Sequence, residues 1–110
     1  MGRTKISLRP YAQDALQLLG AQVRLARTQR RWTVAGLALR AGCSRGTIAS
    51  IEQGQPQVSV GHLFNVCTVL GLPLFVDSPD ELRRARRSRY EMLTLLPSRV
   101  VPEVEIDDDF

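Results

Sequence analysis

The stretch "LALRAGCSRGTIASIEQGQP" (residues 37–56) decides the fold. Within it Gly42-Cys43-Ser44-Arg45-Gly46 satisfies G-x-S-x-G, the pattern of a nucleophile elbow, in which Ser44 would attack a substrate. An elbow needs a buried strand running into Gly42, a helix leaving Gly46, an oxyanion hole, and an acid and then a histidine after the serine. Here the residues before Gly42 have helical spacing, and only Glu52 lies between Ser44 and the sole histidine, His62. The same letters read without remainder as a turn between two helices. Such a turn needs a glycine, Gly42, followed by a small apolar residue facing the core, Cys43.

The helix after the turn begins on short polar residues. Ser44, Arg45, Thr47 and Ser50 share its outer face, while Ile48 and Ile51 turn inward. That arrangement suits a helix whose N-terminal end meets base edges in a major groove, with its amides toward phosphate. No nucleophile, base and orienting group come together anywhere in the sequence, so an enzyme is not expected.

Working outward, the spacing predicts a chain of short helices. From Gln13 to Arg30 apolar residues recur at Leu16, Leu19, Val23 and Ala26. Thr33 is placed to cap a helix over 34–41 with Leu37, Ala38 and Ala41 inward, and Gly42 ends it in a left-handed conformation. Ser44 caps the next helix, to about Gln53, which Gly54 and Pro56 stop. Ser59 caps a fourth, with Val60, Leu63, Phe64, Cys67 and Leu70 at helical spacing and Gly71 as terminator. The fold class is therefore all-α.

"LPLFVD" (72–77) differs in kind. It is a continuous apolar run between Gly71 and "DSPD", predicted as a short strand. A lone strand leaves its backbone unpaired, and the simplest partner is its own copy in a dimer, through Leu72, Leu74, Phe75 and Val76. The alternative is an extended connector lying on the core. Residues 78–96 are again helical, capped by Ser78 or Asp80. Leu82, Ala85, Tyr90, Leu93 and Leu96 form a partial apolar face among Arg83, Arg84, Arg86, Arg87 and Arg89. The expected organisation is an arm (1–12), a DNA-binding and dimerisation domain (13–77), a basic helix (78–96) and an acidic flexible tail (97–110).

Composition and charge agree with this. At 110 residues with 44% hydrophobic residues and few aromatics, the chain supports one small core, too small for a hydrolase sheet. It shows no membrane span and no signal peptide, so a soluble, cytoplasmic, nucleoid-associated protein is expected. Cys43 and Cys67 lack partners at zinc spacing, which predicts reduced apolar residues, with no metal and no cofactor. The net charge of +4 hides a division: residues 1–99 carry all 15 basic groups and six acids (+9), residues 100–110 five acids and no base (−5). A basic body points to a polyanion such as double-stranded DNA, and an acidic tail to something basic.

Residues 19–71 resemble the helix-turn-helix domain of the Cro/C1 repressor class, through Leu37-Ala38, Ala41-Gly42, Ser44, Ile48, Ile51-Glu52 and Gly54. A closer resemblance, to HipB-type antitoxins, is carried by "VLGLPLFVD" (69–77) and by the "LLPSRV" tail ending in "DDDF". It implies a homodimer paired through the segment after the fourth helix, repressing its own operon from a palindromic operator and binding a HipA-like serine/threonine kinase toxin. Residue by residue, the resemblance implies base reading by Ser44, Arg45, Thr47 and Ser50, and phosphate contacts by Thr33 and Gln53. Arg24 is a further expected phosphate contact. It implies a structural ion pair between Arg27 and Glu52, and toxin binding by a tail that includes Arg99, Asp107, Asp108, Asp109 and Phe110. A stand-alone or phage-type repressor would share every helix-turn-helix residue, and an adaptor that has lost DNA binding would keep the fold.

Three positions depart from the pattern. Val34 stands where a phosphate-gripping Gln is usual. Gly36 replaces the acid that completes a capping box with Thr33, which should loosen the second helix. Gly46 puts no side chain where some relatives read a base.

Overall fold

A computed structural model describes residues 5–102. It contains five helices: α1 (Pro10–Gln29), α2 (Val34–Ala41), α3 (Arg45–Glu52), α4 (Val60–Leu70) and α5 (Pro79–Thr94). The chain divides into two units, Met1–Phe75 and Val76–Phe110.

In the first unit α1 packs on α3 and α4, and α2 packs on the same two helices. Leu37, Ile48 and Val23 are fully enclosed at its centre, with Ala26, Ala38, Ala41, Ile51, Val66, Cys67 and Leu70 around them. No polar residue is buried with them among the described residues. Leu63, Val34, Cys43 and Val58 close the edges of this core.

The helix ends follow from local chemistry. α1 starts at Pro10, three residues before the expected Gln13, because proline presets the helical φ and needs no N–H partner at the first position. Residues 10–12 thus belong to the helix and not to the arm. Gly42 (φ 72°) ends α2, and the Cys43 N–H donates to the Ala38 carbonyl at 3.0 Å. Thr33 Oγ1 accepts the Gly36 N–H at 2.9 Å, so half of the capping box survives the loss of the acid. Ser59, by contrast, makes no side-chain cap.

Two loop residues lock the joints around α1. Arg31 takes the left-handed conformation (φ 58°) after α1, a place usually given to glycine. Arg30 and Arg40 both approach the ring of the adjacent Trp32, their guanidinium carbons 5.6 and 4.1 Å from its centre. Arg30 also joins two helix ends, donating to the Ala26 carbonyl at 3.1 Å and to the Leu70 carbonyl at 2.7 Å.

Two further expectations need correction. Val60 and Phe64, expected on the inner face of α4, are exposed, because the buried stripe runs through Val66, Cys67 and Leu70. Residues 72–77 form no strand element: Leu74 and Val76 are single bridge positions around Phe75, whose φ of 73° interrupts an extended run. Leu72 packs against the core, in keeping with the connector alternative, while Phe75 stands out at 86% exposure in an edge-to-face pair with Phe64, 6.3 Å between ring centres.

In the second unit Ser78 caps α5 by accepting the Glu81 N–H at 3.1 Å, and Asp80 pairs with Arg83. No residue of α5 is buried; Leu82, Tyr90, Met92 and Leu93 are exposed along with the arginines.

Candidate nucleic-acid interface

The site grows out of the turn between α2 and α3. Ser44 Oγ accepts the Thr47 N–H at 3.0 Å and lies 3.0 Å from Thr47 Oγ1, so the pair holds the first turn of α3 in place. One of the two O–H groups serves that mutual bond. The other has no partner among the described residues and remains a donor for an external acceptor. Ile48 and Ile51, at 0% and 2% exposure, anchor the opposite face of the helix in the core. Burial of those two isoleucines fixes which side chains of α3 point outward.

Ser44, Arg45 and Gly46 are exposed, and Thr47 and Ser50 are half-buried. Ser44, Gly46, Thr47 and Ser50 form one wall of a recess of about 320 Å³; Gln57, Val58 and Ser59, from the loop before α4, form the other. These loop residues carry no signal in the sequence, since only folding lays the loop beside α3. Arg45 stands outside the recess and enters no ion pair among the described residues. Its charge lies at the positive end of the α3 dipole, which costs about 0.3–1 kcal/mol and suits a role toward an anion.

The other expected contacts are placed separately. Thr33 starts α2, Arg24 lies on the exposed side of α1, and Gln53 lines a second cleft of about 340 Å³ with Gln13, Gln17 and Gln55. Arg27 and Glu52 do come together: Arg27 Nε donates to Glu52 Oε2 at 2.6 Å and Nη2 to Oε1 at 3.0 Å. A third guanidinium N–H reaches the Trp32 carbonyl at 2.9 Å. The Glu52 hydrogen bond pushes the Arg27 pKa up despite desolvation. Burial alone raises both thiols, Cys43 and Cys67. Val34 packs on the core, so its departure from the usual Gln exchanges a phosphate grip for an apolar contact. Arg99 is exposed, while Asp107, Asp108, Asp109 and Phe110 lie outside the described residues.

Electrostatics set this surface apart. Between Asp14 and Asp77 the only acid is Glu52, and its charge is held by Arg27. The first turns of α1 to α4 contain no acid, whereas α5 has Asp80 and Glu81 there. The amides at the starts of α2 and α3 are therefore left without a neighbouring side-chain anion.

A helix pair joined by a Gly42 turn, with a polar, acid-free outer face on the second helix, defines a helix-turn-helix DNA-binding regulator. The family model of a helix-turn-helix domain matches residues 18–75, more than half of the chain, and the chain belongs to that family. No curated protein matches it. Among the described residues no helix is long and apolar enough to cross a membrane.

Proposed function

We propose that this regulator is a sequence-specific repressor that binds a palindromic operator as a homodimer. It is further proposed to be the antitoxin of a HipA-like serine/threonine kinase. The observation that carries the repressor reading is the acid-free outer face of α3, held rigid from beneath by Ile48 and Ile51. On this reading Ser44, Arg45, Thr47 and Ser50 meet bases, and Thr33, Gln53 and Arg24 meet phosphates. Two copies set α3 into successive major grooves about 34 Å apart and block polymerase. Exposed Phe75, beside partly exposed Phe64 and near Leu72, Leu74 and Val76, offers apolar area for the second copy.

The antitoxin part is supported by the resemblance of residues 69–77 and of the tail to HipB-type proteins. Arg99 and the acidic residues Asp107 to Asp109, with Phe110, are the proposed kinase contacts. Footprinting on the DNA upstream of the gene tests repression, with protection of two half-sites expected and no protection telling against it. Co-purification with the product of the adjacent gene tests the antitoxin role. Operator binding with no kinase partner leaves the stand-alone repressor. An adaptor without DNA binding, suggested by Val34 and Gly36 standing where the family has Gln and an acid, would give no footprint.

A further inference from the structure

The recess beside α3 has an open floor at Gly46 and an apolar wall at Val58 that none of the proposed base contacts uses. A Cβ built on Gly46 would meet nothing nearer than Ser44 Oγ at 3.7 Å, so the space above this residue is open. Val58, half-buried and packed on the core, lines the same recess and gives it one apolar surface. Beside this hollow stands the Ser44–Thr47 hydroxyl pair with its one uncommitted O–H.

A hollow with one apolar wall, Val58, next to a hydroxyl donor matches one base edge in the major groove. Thymine alone presents a methyl group at C5 beside an acceptor, O4; cytosine offers a donor and no methyl. The geometry points to Gly46 and Val58 as specificity-determining residues that admit the 5-methyl group of a thymine, with the Ser44–Thr47 pair donating to its O4. The inference rests on α3 being the DNA-reading helix. It gives Gly46 a purpose: the missing side chain makes room for a group on the DNA.

The test uses the full chain and the tightest-binding duplex selected from a randomised pool. Each thymine of one half-site is replaced in turn by deoxyuridine, which removes only the methyl. One position should lose about four-fold in affinity, the worth of one buried methyl, and the others should change little. With Gly46→Val the hollow is filled, and the same replacement should have no effect. Val58→Thr, close in shape, puts a hydroxyl in the hollow and should likewise remove the methyl preference if the first variant fails to fold. A half-site in which no thymine is sensitive, or a sensitivity unchanged in both variants, overturns the proposal while leaving DNA reading by α3 intact. Failure to select any sequence from the pool overturns the DNA-reading assignment and this inference with it.

Discussion

Gly20 lies where α1 crosses the end of α3 so closely that a Cβ would sit 2.5 Å from the Ile51 carbonyl oxygen and 2.9 Å from that of Glu52. Both obstacles are backbone, so Gly20→Ala must push two helices apart and should cost about 1–3 kcal/mol in urea denaturation. The same change at Gly46, in an exposed turn of α3 with open space around it, should instead stabilise by about 0.5–1 kcal/mol. Equal effects at the two sites would show that the close approach at Gly20 is not what sets its cost. Function divides in a similar way between Arg45 and Arg24. A guanidinium at the start of α3 suits the O6 and N7 atoms of guanine, so Arg45→Ala should relax preference at one base pair by about 1–3 kcal/mol. Arg24→Ala should weaken binding to all sequences alike and lower the salt slope by about one. Equal loss on every sequence for Arg45→Ala would count against direct readout.

At the scale of elements, the Arg27–Glu52 pair ties α1 to the end of α3, with the two side chains 12% and 9% exposed. Glu52→Ala leaves a guanidinium without its anion in a mostly dry place, at a cost of about 3 kcal/mol. Combining Arg27→Met with Glu52→Leu should recover most of that loss, since both charges are then gone; denaturant midpoints of the two variants and the unaltered protein decide it. This pairing entered through the resemblance to known repressors, since 25 residues separate the partners and no local spacing joins them. Helix ends at Gly42 and Gly71 were legible because a left-handed residue is cheap only for glycine. For the same reason Arg31 and Phe75, left-handed without being glycine, could not be read, and the expected strand over 72–77 was lost with Phe75. Spacing placed Val60 and Phe64 in the core because α4 is apolar on more than one side, and only packing chose between the faces. The outer face of α3 was readable from its polar residues. Its second wall, Gln57 to Ser59, was not, because it arises from tertiary folding.

On the scale of the whole molecule, only two of the eleven acids, Asp14 and Glu52, fall before residue 77, and five fall after residue 102. Removing residues 103–110 takes away five acids and leaves every base in place. Affinity for non-specific DNA should then rise at low salt and the gain should fade as salt is added, while discrimination between sequences stays the same. A loss of discrimination in titrations at two salt concentrations would instead place the tail in sequence recognition.

Arg30 holds the ends of α1 and α4 with one guanidinium, and its bond to Leu70 spans 40 residues. Closing so long a loop is slow to be rewarded, so this contact should form after the rate-limiting step of folding. Arg30→Met is then expected to speed unfolding about ten-fold, with refolding unchanged, in stopped-flow measurements. Refolding slowed by the same factor would place the contact in the folding nucleus. The side chain acts as a latch on the finished unit: it governs how long the native state lasts and has little say in how fast it is reached.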